Sequence, residues 1–361
     1  MPAPIRTLPL SAALVGCVVL LGACDRSVTS PGDLRAAQPE KIFLFGGVTW
    51  TRTDLPFAPA AINAAGVIVG KNGTEAVRWR NGVIDTLPHL AGLAGPYIAV
   101  DVTPNGLVLG GANGHILYWF QDGVQPVDLT SGSTYAGLLY PVAMNDSYMV
   151  VAQEYTGPNI LSVRFTYPGP WVDISAPIGL SGFDETVVTS LNANGQAAGY
   201  RYLVNPGAFL PVRWGTSGGP VQLSAPIDPT GQPSGRANSI DGSGNVFGFT
   251  SAGATIWHPD GSSVVVTGLP AQPSLRSDAG RFVGVGYNNG VQQLFTSFNG
   301  ALTWLSSADA SAATPVDVNS CGAIIARRAT TPTTGSLWRR TSMVVQNTCD
   351  TPPVLVAASA M

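Results

Sequence analysis

Apolar residues in this chain fall into short runs, each cut by a turn of Asn, Asp, Ser or Gly. The clearest unit reads Ala61-Ile62-Asn63-Ala64-Ala65-Gly66-Val67-Ile68-Val69-Gly70, then Ala76-Val77-Arg78-Trp79, then Asn81-Gly82, then Val83 to Leu87. Anchored on Gly66, the same pattern returns at Gly106, Tyr148, Gly195, Gly244, Gly280 and Gly322. That spacing, roughly 40 residues, is the period of small radial β-sheets. Each anchor closes a turn that opens on Asn63, Thr103, Asn145, Asn192, Asp241, Ser277 or Asn319. Such side chains hydrogen-bond the backbone two residues on, and glycine accepts the positive φ that follows. Tyr148 breaks the glycine rule in the third copy.

Four residues after the anchor stands a second small residue: Gly70, Gly110, Ala152, Gly199, Gly248, Gly284 or Ala326. A missing side chain there lets a neighbouring backbone approach. Then comes an aromatic: Trp79, Trp119, Phe165, Trp214, Trp257, Phe295 or Phe298, and Trp338. A second turn follows in most copies, as Asn81-Gly82, Asp122-Gly123, Asp260-Gly261 or Asn299-Gly300, and these pairs mark tight hairpins. The seventh copy has Arg339-Arg340 instead. Two hairpins make four strands, a to d, and a lone unit of this size buries neither face. The pattern predicts an all-β fold, a seven-bladed β-propeller of four-stranded antiparallel blades. The aromatics are expected between blades. The segment from Ile42 to Leu55 echoes a fourth strand (Leu55-Pro56 beside Leu87-Pro88) and is expected to dock on the last blade and close the ring. A further strand is expected near Met343-Val344-Val345.

Composition agrees: 43 Gly, 29 Pro and 11% charged residues suit a turn-rich β protein. The N-terminus carries Arg6 and an apolar run from Leu8 to Ala23, too short for a comfortable membrane span. It ends Leu21-Gly22-Ala23-Cys24, which resembles a bacterial lipobox. The resemblance implies cleavage before Cys24 and lipid on that cysteine, hence a cell-envelope protein held at a membrane by its N-terminus. Asp25 leaves open which membrane. The expected division is a signal peptide over 1–23, a tether over 24–41, the propeller over 42–349 and a tail over 350–361. With Cys17 removed and Cys24 lipidated, Cys321 and Cys349 remain, and a disulfide between them is expected in an exported chain. It would stabilise the last blade by about 3–4 kcal/mol on the chain-entropy model. Without the leader, 17 basic and 21 acidic side chains remain. That balance argues against a nucleic-acid partner.

The units Ile62-Asn63 with Val67 to Gly70, His115-Ile116-Leu117-Tyr118-Trp119 and Glu75-Ala76-Val77-Arg78-Trp79 resemble the HAF-type extracellular repeat family. The likeness spans nearly all of 58–345, with copies three and six degenerate. It implies export and repetition and transfers no catalytic residue. His115 is then a repeat position.

Catalytic motifs fare poorly. His89, His115 and His258 fall in different repeats with no ligand spacing. Gly215-Thr216-Ser217-Gly218-Gly219 fits a nucleophile pattern but sits at a c–d turn, with no following helix. Asp241-Gly242-Ser243-Gly244-Asn245 imitates a calcium loop but coincides with a repeat turn. No cofactor, metal or catalytic residue is assigned, and the chain is read as a monomer. In an up-and-down blade the b–c loops and d–a crossovers share one end, where Lys71, Glu154, Tyr155, Tyr200, Arg201, Tyr202, Tyr287 and Arg327 stand. Tyr and Arg are favoured at recognition surfaces. The expected function is a binding or scaffold module for an extracellular glycan or protein. The alternative is a hydrolase or lyase acting on extracellular polysaccharide from a channel lined by converging polar side chains. The apolar Val67 to Gly70 and its equivalents, read as the inner strand, favour binding.

Overall fold

The computed structural model describes residues 41–341, apart from 46–47, 121–122, 136, 157–158, 176–184, 204–206, 218, 230, 272, 278, 306–312 and 329–330. The chain divides into two compact units, Met1–Arg35 and Ala36–Met361, and the first lies outside the described residues. So do Cys24 and Cys349, and so does the strand expected near Met343.

The second unit is a seven-bladed β-propeller. It opens with β1 (Lys41–Phe45) and β2 (Val48–Leu55). Blade one is β3 (Ala58–Ile62), β4 (Ile68–Asn72), β5 (Glu75–Arg80) and β6 (Val83–Thr86). Blade two is β7 (Tyr97–Val102), β8 (Val108–Ala112), β9 (His115–Trp119) and β10 (Val127–Asp128). Blade three is β11 (Leu139–Met144), β12 (Met149–Thr156), β13 (Asn159–Thr166) and β14 (Trp171–Asp173). Blade four is β15 (Glu185–Leu191), β16 (Ala197–Leu203), β17 (Ala208–Trp214) and β18 (Pro220–Gln222). Blade five is β19 (Gly235–Ile240), β20 (Val246–Thr250), β21 (Gly253–Trp257) and β22 (Ser263–Val265). Blade six is β23 (Pro273–Arg276), β24 (Phe282–Asn288), β25 (Val291–Phe298) and β26 (Ala301–Leu305). Blade seven contributes β27 (Ala313–Val318), β28 (Ile324–Arg328) and β29 (Gly335–Thr341). Each a strand touches the a strand of the next blade, from β3 against β7 round to β27 against β3. The a strands are therefore innermost. This corrects the placement of Val67 to Gly70 on the inner strand: Ile68 to Gly70 belong to strand b and Val67 to the turn before it.

The N-terminal segment closes the ring as expected. β2 pairs with β29, Arg52 opposite Trp338 and Leu55 opposite Gly335, and β1 adds a fifth strand outside it. This explains Arg339-Arg340. Strand c of the last blade runs on through that position because its partner comes from the other end of the chain, so no c–d turn is needed there.

Strand a carries a bulge in every blade, and the second small residue faces it, Gly70 opposite Pro59 and Gly248 opposite Ala237. A Cβ on Gly70, Gly110, Gly199 or Gly248 would lie 1.9–2.1 Å from a strand-a carbonyl oxygen. Overlap that close forces the backbone apart, so glycine at these positions sets the pairing of a with b.

The first turn is held alike in all seven blades. The opening side chain accepts the backbone N–H four residues on, as Asn63 does from Val67 at 2.9 Å and Asn319 from Ala323 at 2.9 Å. Asn145 and Asp241 also take the N–H two residues on. The asparagines do a second job. Asn319 donates to the Asn63 carbonyl, Asn63 to Thr103, Asn145 to Asn192 and Asn192 to Asp241, each between neighbouring blades. The strand-c aromatics are core, as expected. Trp79, Trp119, Phe165, Trp214, Trp257 and Trp338 each join an apolar cluster shared with the preceding blade. In blade six the buried aromatic is Phe295, while Phe298 lies under the Arg281 guanidinium.

Candidate ligand-binding face

The eight residues expected on the b–c face lie on strand rungs rather than in loops. Lys71 pairs with Ala58 and Ala76, Tyr155 with Ile160, Tyr200 with Val187 and Pro211, Tyr287 with Gln292, and Arg327 with Thr314 and Gly335. Strand b runs on past its small residue. The b–c hairpins of blades one, two, five and six then turn in two residues, so these connections are no longer than the a–b turns.

Alternation along the strands sorts the eight. Glu154 and Arg201 are buried. Burial raises the Glu154 carboxyl above its ordinary value, helped by the charge of Asp173. Arg327 donates its Nε proton to Pro59 O at 3.1 Å and joins blade seven to blade one. Tyr287 is 71% exposed on blade six. Lys71 lines a groove of about 280 Å3 with Ile98, His115 and Tyr140. Tyr155, Tyr200 and Tyr202 come together, and they collect partners that the sequence reading missed. Tyr140 stands edge-on to Tyr155 at 6.3 Å. Phe209 is stacked with Tyr202 at 4.7 Å and edge-on to Tyr200 at 5.7 Å. The Arg236 guanidinium lies 3.5 Å over the Phe209 ring and 5.2 Å from that of Tyr200. Burial, then Tyr140, Glu185 and Tyr200, raise the Tyr155 hydroxyl above the ordinary phenol range. The result is an aromatic face across blades three, four and five, with Arg236 and Glu185 supplying one charge of each sign. Tyr140 is 52% and Tyr155 46% exposed.

Besides Glu185 at the start of β15, the inner strands carry two carboxylates, Asp101 and Asp317. Asp101 accepts Val102 N–H at 2.8 Å and, across the blade boundary, Met144 N–H at 2.8 Å. Asp317 does the same with Val318 at 2.7 Å and Ile62 at 2.9 Å. Burial pushes the Asp101 carboxyl up to about 7; the Met144 N–H opposes this and the Asp317 charge adds to it. Both groups act as staples between blades.

The motifs weighed in the sequence resolve into scaffold. His115 is bonded to Asp128 at 2.9 Å, His258 to Asn245 at 2.8 Å, and His89 pairs with Glu75 and stacks on Tyr97. Gly215 O accepts a hydrogen bond from Arg164 in blade three. Against the cost of burial, Arg276 and Asn245 hold the Asp241 carboxyl below its ordinary value. Its Oδ1 meanwhile accepts from the turn backbone, so its oxygens are turned inward. Among the described residues, no three His, Cys, Asp or Glu are placed to hold a metal ion. Also among them, no helix is long and apolar enough to cross a membrane. Cys321 Sγ lies 3.5 Å from Ala64 O, at the seam between the last and first blades.

No family model and no curated protein matches the chain. Solved structures do. YCF48 bound to D1 peptide is 13% identical with a TM-score of 0.51, over 81% of this chain and 97% of that one. YCF48 from Cyanidioschyzon merolae is 13% identical with a TM-score of 0.44, over 80% and 98%. The gluconolactonase XC5397 from Xanthomonas campestris is 15% identical with a TM-score of 0.36, over 74% and 94%. At 13% identity the likeness to the first of these is one of fold alone.

Proposed function

We propose that this chain is an exported HAF-type repeat propeller, anchored through lipid on Cys24, that binds a segment of an extracellular protein. The contact face is the b–c end of blades three to five. The observation that carries the reading is the cluster of Tyr140, Tyr155, Tyr200, Tyr202 and Phe209 with Arg236 over its rings. Tyrosine and arginine on a rigid sheet lose little freedom on binding and dominate protein contacts. Glu185, opposite Tyr202, and Arg236, over Phe209, give the face both signs of charge, which suits a peptide carrying both. A propeller of this fold can hold a peptide, as YCF48 does the D1 peptide.

The test is a peptide array probed with the full chain in detergent. Peptides that bind are expected to lose affinity at least tenfold with Arg236→Ala and with Tyr155→Ala. Binding by both variants as tight as the parent's would sink the assignment of the face. Turnover of a polysaccharide by the full chain would favour the hydrolase or lyase reading. The anchor is checked separately, by the mass of the N-terminal peptide beginning at Cys24. The proposed Cys321–Cys349 bridge is checked by non-reducing peptide mapping.

A further inference from the structure

The opposite end of the ring carries a second aromatic surface. Six of the seven anchors are glycines with φ between +76° and +84°, and in four blades the preceding blade packs against that glycine. The neighbours are Arg339 on Gly66, Met149 on Gly195, Gln196 on Gly244 and Arg281 on Gly322. Blade three departs from this. Tyr148 takes the same left-handed backbone, φ +58°, which an L side chain adopts only under strain. The other non-glycine residues with positive φ among the described residues are all asparagines. In exchange Tyr148 sets an aromatic ring on the surface. Its centroid lies 5.9 Å from Tyr118 of blade two, 6.4 Å from Phe120 and 6.4 Å from Tyr167. Phe120, Tyr148 and Tyr167 are 43%, 39% and 56% exposed. Burial, and then the neighbouring Tyr148 and Tyr167, raise Tyr118 well above the ordinary phenol range, so Tyr118 stays neutral.

Tyr167 also borders a groove of about 460 Å3 along the seam between blades two and three. The buried rings of Trp171 and Phe165 line it together with Ser131, Ser133 and Thr134. The volume lies in the range of small-ligand sites. No lysine or arginine lines it, and its one acid, Asp128, is already bonded to His115 and Thr130. A groove with no free charge, lined by flat rings and by serine and threonine side chains, matches a ligand with flat C–H faces and a hydroxylated edge.

The geometry points to a neutral saccharide site, with a sugar ring on Tyr148 and Tyr167 and the adjoining sugar in the groove. This site is separate from the protein-binding face proposed above and does not depend on it. A charged glycan is disfavoured because nothing in the groove would neutralise it. The strained Tyr148 is accounted for as well, since glycine would hold the turn better and bind nothing.

The experiment titrates the full chain with neutral gluco-, manno-, galacto- and xylo-oligosaccharides and with a uronic-acid oligosaccharide, by calorimetry and by Trp fluorescence. At least one neutral oligosaccharide is expected to bind. Tyr148→Gly is expected to unfold at a temperature no lower than the parent and to lose that affinity at least tenfold. Tyr167→Ala, a change at an exposed ring, is expected to lose it similarly. Tyr155→Ala and Tyr200→Ala, at the other end, are expected to leave it within twofold. The proposal fails if no neutral oligosaccharide binds, if the uronic-acid oligosaccharide binds more tightly than all of them, or if Tyr148→Gly and Tyr167→Ala bind as the parent does. Loss of peptide binding in the Tyr155 variant with saccharide binding intact supports both sites.

Discussion

Trp171 donates its indole N–H to the Leu129 carbonyl at 2.9 Å, from strand d of blade three to the end of blade two. In blade four the same link runs from strand c, Trp214 to Ile174 O at 2.8 Å. Phe165 stands at the strand-c position of blade three and has no side-chain N–H, and Trp171 is its cross-strand partner. Blade six repeats the exchange, with Phe295 opposite Trp304. The two copies that look most degenerate share one substitution pattern. Trp171→Phe should cost about 1–3 kcal/mol, since it leaves Leu129 O without its donor. Phe165→Trp in that background should recover part of the loss. Denaturant unfolding of the single and double variants measures the coupling, and strict additivity would show that the two positions do not substitute for one another.

The belt of asparagines predicts unequal costs for similar changes. Asn192 accepts from Gln196 N–H and donates to Asp241 O in the next blade, and it is buried. Asn192→Ala removes both bonds and strands two backbone groups, for about 2–4 kcal/mol. Asn194 is bonded only at the surface, to Gly242 O. Asn194→Ala should cost less than about 1 kcal/mol. Equal midpoint shifts in urea would argue against a belt that joins the blades.

Glycine positions divide in the same way. Gly248→Ala places a methyl 1.9 Å from Arg236 O and should cost about 3 kcal/mol or more. Gly73 has φ +59° and open space around it, so Gly73→Ala should cost only about 1 kcal/mol, from backbone strain alone. Thermal unfolding orders the two, and a reversed order would overturn the close-approach account.

Asp101 makes a pH prediction. Its carboxyl is near 7 in the fold against an ordinary 3.8, so between those values the folded chain keeps a proton that the unfolded chain has lost. The contribution of this group therefore favours the fold below pH 4 and is withdrawn as pH rises to 7. Unfolding free energy measured from pH 4 to 8 should fall less steeply with pH in Asp101→Asn than in the parent. Parallel curves would mean that the proton on Asp101 is not linked to folding.

Much of this architecture was legible because turns and small residues repeat where the backbone leaves no choice. Gly70 and its equivalents announce the a–b approach, and Leu55-Pro56 echoes Leu87-Pro88 at corresponding rungs of two blades. Strand a was misjudged because its residues are weakly apolar, as in Gly235-Arg236-Ala237-Asn238-Ser239, and its bulge breaks the period of two. The ligand face was only half visible. Tyr155, Tyr200 and Tyr202 follow a repeat position, but Tyr140, Phe209 and Arg236 reach them from other strands, and spacing along the chain does not give that meeting. Tyr148 was visible as a broken rule, and the rings around it required the fold.

The last blade draws three strands from the end of the described chain and two, β2 and the outer β1, from its beginning. Six blades complete themselves in the order their strands are made, while the buried Trp50, Arg52 and Leu55 of β2 wait for β29. β2 leaves the ribosome before any of the blades that follow it and is among the last strands to be covered, and until then the ring is an open arc with an unpaired edge at each end. Completeness is checked by the geometry itself: a chain cut short before β29 has no seam to close.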